Sequence, residues 1–226
     1  MKIILLFIFL LISSTAFSQA SEADYPDFSG KTLSEVDKTK RWIVIEKAEG
    51  YLNSDQIKDV AVILQSGSHH FKSCSESADL LADEERIILV LISNDGKPKV
   101  TIQNNRFIAR PDDGGMTCYL KPSISAKKHK LNISYQYTRA HRKYNFAYRD
   151  GDMILVRAET FDRHAASGNF SSNTFDFIGK KIFVKEGNIS SDSVSTKSIP
   201  IKYDGYKKLS EFGEMYEWEI AEYKYL

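Results

Sequence analysis

Short apolar runs closed by Asp-Gly recur along this chain, and they restrict it to a strand-rich fold. Arg86-Ile87-Ile88-Leu89-Val90-Leu91-Ile92 stops at Asn94-Asp95-Gly96, and Lys99-Val100-Thr101-Ile102-Gln103 returns. Gly accepts the positive φ of a tight hairpin turn, so Asp-Gly between two extended runs predicts antiparallel pairing. The unit repeats at Asp150-Gly151, between the alternating run Tyr144-Asn145-Phe146-Ala147-Tyr148-Arg149 and Met153-Ile154-Leu155-Val156-Arg157. Alternation continues upstream in Leu131-Asn132-Ile133-Ser134-Tyr135-Gln136-Tyr137, which predicts three strands paired in sequence order.

Further strands are expected at Trp42-Ile43-Val44-Ile45, at Asp59-Val60-Ala61-Val62-Ile63-Leu64, and over residues 173–178, 181–185 and 198–203. The tail, 209–226, reads as strand rather than helix. Helix formers cluster only over 33–38 and 76–84, a turn or two each. The predicted class is all-β, mainly antiparallel meanders, propeller-blade-like or sandwich-like, with at most short helices. With little Pro and no Gly/Ser-rich linker, residues 19–226 are expected to form a single domain.

The N-terminus sets the expected compartment. One Lys precedes the apolar run from Ile3 to Ile12, and small and polar residues follow to Ser18. That layout predicts a signal peptide over 1–18 and a periplasmic or secreted protein. The run is half the length of a membrane-spanning helix, and no Cys near Ser18 offers a lipid anchor. Of the 31 Lys and Arg only Lys2 falls in this segment, leaving 30 against 30 Asp and Glu. That balance argues against nucleic acid as a partner. Cys74 and Cys118, the only two cysteines, read either as a disulfide closing about 45 residues, worth about 4 kcal/mol in chain entropy, or as two separate buried thiols.

Oxygen-bearing side chains recur at Asn53, Asp55 and Asp59 just before an apolar run, a spacing that suits a hard cation such as calcium, with the Ile57 carbonyl completing the set. The stretch from Gly50 to Leu64 resembles the calcium loop of FG-GAP or VCBS-type repeats, found also in integrin alpha subunits. In that motif Asp-x-Asn-x-Asp-Gly-x-x-Asp precedes a strand. Here Tyr51 stands in place of the first acidic ligand and Gln56 in place of the turn Gly. The resemblance implies either a calcium site or a metal-free turn holding the strand. The wider order of Trp42, Gly114-Gly115, the tyrosines from 135 to 148, and Asn173 to Gly179-Lys180 is similar to small exported bacterial proteins with one such motif and no assigned activity.

Other clusters carry competing readings. Lys121, Lys127, Lys128, Lys130, Arg139, Arg142, Lys143 and Arg149 surround the tyrosine-rich hairpin. Tyr135, Tyr137, Arg139, His141, Arg142 and Tyr144 could bind an anionic glycan by charge and ring stacking, or could divide into a wet basic face and a tyrosine core edge. Ser66-Gly67-Ser68-His69-His70 reads as a polar loop, because adjacent imidazoles on a strand point to opposite faces. Asp112-Asp113-Gly114-Gly115 reads as a solvated turn. The three Asn-x-Ser sites at 132, 169 and 188 would matter only in a eukaryotic secretory pathway.

The expected function is that of an exported, non-enzymatic protein binding a protein or cell-envelope glycan. The alternatives are an envelope-polymer hydrolase using Asp112, Asp113 or His141, and a structural or assembly subunit.

Overall fold

The computed structural model describes residues 25–67, 84–94, 96–117 and 119–226. The expected signal peptide, the Cys74/Cys118 pair, His69 and His70, and the 76–84 helix up to its last residue lie outside the described residues.

The first sheet is a four-stranded antiparallel meander, built from β1 (Trp42–Gly50), β2 (Asp59–Ser66), β3 (Arg86–Asn94) and β4 (Lys97–Asn104) in that spatial order. A four-residue helix, α1 (Leu33–Val36), precedes it. The Glu35 carboxylate accepts from both the backbone N–H and the hydroxyl of Thr32, which fixes the first turn. Every residue of β2 is buried, and the reason is visible in its unbroken apolar run. Ala61, Ile63, Ile88 and Val90 face the second sheet, whereas Val62, Leu64, Ile87 and Leu89 face Phe28, Val36 and Trp42.

The second sheet is a seven-stranded meander. It runs β5 (Pro122–Lys127), β6 (Lys130–Gln136), β7 (Ala140–Arg149), β8 (Asp152–Arg163), β9 (Asn169–Asp176), β10 (Lys181–Asn188) and β11 (Val194–Pro200), each antiparallel to the next. Its inner face joins the first sheet in one core around Phe107, whose ring meets Tyr144 and Phe146 edge-on at 5.0 and 5.7 Å. The two sheets approach closely at Gly50, where a Cβ would stand 2.3 Å from the Ala126 carbonyl oxygen. Only Gly leaves room for that contact. The fold is thus all-β and mostly antiparallel, with the two sheets sharing a core as in a sandwich.

Two elements depart from expectation. Strand β5 gave no turn signal because its hairpin to β6 is closed by Lys128 and His129, at φ +53° and +56°, without any Gly. The tail is strand only at β12 (Glu219–Ala221) and β13 (Lys224–Tyr225), with a 3-10 turn at Leu209–Glu211. The alternating stretch from Glu214 to Trp218 is turn and coil, because Trp218 folds back to pair with Leu226 and stacks on Phe177 at 5.4 Å.

Candidate functional site

The loop that reads as either a calcium site or a metal-free turn is closed by hydrogen bonds. Asp59 is fully buried; its Oδ2 accepts from the backbone of Leu52 at 2.8 Å and of Asn53 at 3.3 Å, and its Oδ1 accepts from Ser93 N at 2.9 Å. Asn53 Oδ1 accepts from Asp55 N, Asn53 Nδ2 donates to Asp55 Oδ2, and Asp55 Oδ1 accepts from Ile57 N. The Asn53 carbonyl accepts from His129 Nδ1 at 2.8 Å, so that nitrogen carries the proton. Gln56 has φ +62°, a left-handed conformation that Gly adopts freely and a longer side chain resists.

The tyrosine-rich hairpin divides its residues between the core and the surface. Tyr135 and Tyr144 are buried in the core between the sheets and present no stacking face to solvent. Arg142 is buried on the same inner face, while Tyr137 is half-buried beside it. Arg139 is exposed, and His141 lies on the outer face, stacked on Phe161 at 5.4 Å. The six residues therefore divide between two sides of the sheet. The solvated basic face is present; Tyr135 and Tyr144 fill the core, and Tyr137 and Tyr148 pack half-buried at its edge.

A cleft opens where the 105–113 loop meets the tail. It encloses about 370 Å³ between Tyr25, Glu85, Asn105, Arg106, Ile108, Ala109, Arg110, Asp113, Glu214, Met215 and Tyr216. Asn104 assembles it. Its buried amide Nδ2 donates to the carbonyls of Leu209 and Phe212 at 2.7 and 2.8 Å, and its Oδ1 accepts from the backbone of Arg106 and Phe107 at 2.8 and 2.7 Å. This clamp holds the tail against the loop, and it places Arg106 within 3.3 Å of Glu217 and 3.8 Å of Glu214.

No protein-family model, curated protein or solved structure matches the chain. The cleft's chemistry is therefore read from its own residues. Glu85 accepts from the Tyr25 hydroxyl at 2.5 Å and pairs with Arg110 at 2.7 Å; Arg110 N donates to Asp113 Oδ2 at 2.7 Å. Both cleft arginines thus have carboxylate partners, and the walls carry no strong field of one sign. Of the acid/base candidates, Asp113 lines this cleft, Asp112 lies exposed on its turn, and His141 faces away from it. They do not converge. Sequence reasoning missed Tyr25, Glu85, Arg106, Arg110 and Tyr216, which come from four separate segments with no shared local motif.

Burial, and after it the hydrogen bond to Glu85, pushes the Tyr25 phenol up to about 12. A folded pKa above the ordinary 10 means the contribution is full below pH 10 and disappears as pH rises through about 12. Urea unfolding between pH 9 and 12 is expected to show a steeper decline for the native protein than for Tyr25→Phe. Parallel curves would refute the assignment.

Proposed function

We propose that the protein is an exported, non-enzymatic binding protein of the cell envelope whose cleft takes a polyhydroxylated partner, a cell-envelope glycan. One observation carries this reading. Two tyrosine rings, Tyr25 and Tyr216, share a cleft with the polar groups of Asn105, Arg106, Arg110, Asp113 and Glu214. Aromatic rings suit the apolar faces of sugars, and convergent donors and acceptors suit hydroxyl groups. The mutual neutralisation of the charged walls favours a ligand bound through hydrogen bonds over one held by net charge. The signal-like N-terminus supports export, and among the described residues no helix is long and apolar enough to cross a membrane.

Calorimetric titration of the purified protein with soluble envelope glycan fragments tests the reading. Saturable binding is expected, weakened at least tenfold by Tyr216→Ala, whose ring is 46% exposed and contributes little to the core. Binding unaffected by that change, or none at all, would overturn it. Release of new reducing ends from the bound glycan would instead establish a hydrolase.

A further inference from the structure

Three hydrogen-bond donors meet beside the cleft with no acceptor to receive them. Arg142, 8% exposed, donates through Nη1 to the carbonyls of His141 and Phe161 at 2.8 Å and through Nη2 to Asp162 at 2.6 Å. Its buried Nε has no partner among the described residues, nor have the buried hydroxyls of Tyr144 and Tyr137. Arg142 and Tyr144 are neighbours on one face of β7, and the Tyr137 ring lies 5.9 Å from the guanidinium. Asn173 Oδ1, the one unpaired buried side-chain carbonyl among the described residues, is two strands away across Thr160.

Buried polar groups in folded proteins nearly always find a partner, so an unmatched set describes its missing ligand. Burial raises the phenols of Tyr137 and Tyr144 well above the ordinary tyrosine value, so both keep their protons and can donate. Two neutral hydroxyls and the buried, unpaired Nε–H of a guanidinium already paired with Asp162 match an acceptor of single negative charge. That describes a carboxylate better than a doubly charged phosphate.

Tyr216 separates this cluster from the cleft. It lines the cleft, its ring lies 5.4 Å from the Arg142 guanidinium, and its hydroxyl faces that of Tyr137 outside hydrogen-bond geometry. Its backbone has φ +71°, a conformation that a tyrosine holds only under strain, in a turn where Glu217 Oε2 accepts from Glu214 N at 2.9 Å and both carboxylates pair with Arg106 on the surface. The side chain itself is 46% exposed, so it has solvent to turn into while the turn's backbone stays in place.

We propose that Arg142, Tyr137 and Tyr144 form an acid-recognising subsite of the cleft. A carboxylate on the bound ligand accepts from Arg142 Nε and the two hydroxyls once Tyr216 turns off the guanidinium. The donor set stands on its own geometry, and only the source of the carboxylate, an acidic sugar, rests on the glycan reading.

The test titrates the purified protein with glucuronate, glucose and acetate while following the side-chain N–H of Arg142 by NMR, assigned by its loss in Arg142→Lys. Glucuronate is expected to shift that signal and to bind at least tenfold more tightly than glucose. Tyr144→Phe should abolish the preference while leaving the unfolding midpoint unchanged or higher, because it removes an unpaired buried hydroxyl. An acetate response lost in Tyr144→Phe, with neither sugar bound, would support the subsite and refute the glycan reading. Glucose bound as tightly as glucuronate would refute the subsite and leave the glycan reading standing. No response to either carboxylate, or full carboxylate binding by Tyr144→Phe, would overturn the proposal and leave the donors to ordered water.

Discussion

Replacing Asp59 with Ala is expected to destabilise the protein by about 3–5 kcal/mol, and to lower its unfolding midpoint by roughly 10 °C in a chain of this size. The magnitude follows from what the carboxylate serves. It is fully buried at the start of β2 and accepts from three backbone N–H groups, of Leu52, Asn53 and Ser93, which lie on the β1–β2 loop and at the end of β3. Ala leaves three donors unpaired, those of Leu52 and Ser93 buried and that of Asn53 partly so, and each buried one costs about 1–3 kcal/mol. Asp59→Asn keeps one acceptor oxygen and should cost about half as much. Asp55→Ala, on the exposed turn, should cost about 1 kcal/mol or less. Denaturant unfolding with calcium and then with chelator separates two roles for Asp59. A carboxylate serving backbone donors gives the same loss in both, whereas a working metal ligand gives its larger loss in calcium.

Replacing Arg86 with Met is expected to cost about 3–5 kcal/mol, the loss seen when one partner of a buried charged network is removed. Arg86 is 1% exposed. Its Nε donates to Gln65 Oε1 at 2.9 Å and its Nη1 to the carbonyls of Ala109 and Leu120 at 2.7 and 2.6 Å, while the guanidinium lies 5.2 Å from the Tyr119 ring. It therefore fastens both ends of the 109–120 segment to β3. The segment includes Ala109, Arg110 and Asp113 of the cleft, so ligand binding should be lost in Arg86→Met even at temperatures where the protein remains folded. Adding Glu84→Gln, which removes the buried negative charge near Arg86, should recover part of the stability but not the binding, because the two carbonyls stay unpaired. Recovery of both together would show that Arg86 acts as a counter-charge rather than as the fastener of the loop.

Both predictions concern one design. The inner strands of the first sheet are buried on two faces, so Asp59 and Arg86, like Asn104 beside them, sit where water cannot reach, and each is matched to backbone groups of a loop. Asp59 matches the loop before β2, Arg86 the segment after β4, and Asn104 the tail. The cleft lies where the last two of these fastenings meet. Loops held in this way can present side chains from four segments with the rigidity that binding requires, since the ordering cost is met during folding rather than on association.

The strands, the hairpins and the all-β class were legible in the sequence because they depend on short-range preferences. Alternation places the core face of β6 and β7 without knowledge of the rest of the chain, a continuous apolar run marks β2 and β3 as doubly buried, and Asp150-Gly151 closes its hairpin through positive φ at both residues. What escaped was decided at longer range. Lys128 and His129 hold left-handed conformations that their own residue types disfavour, and the sheets paired around β5 and β6 impose them. Alternation put Arg142 on the same face as Tyr144, but the burial of its charge depends on acceptors at Phe161 and Asp162, nineteen and twenty residues away. The cleft joins Tyr25, Glu85, Arg110 and Tyr216, and the bonds that bring them together span up to 111 residues. Local sequence sets which conformations each segment prefers. Only the packing of the two sheets, which orders distant backbone groups around a few buried polar side chains, decides which segments meet.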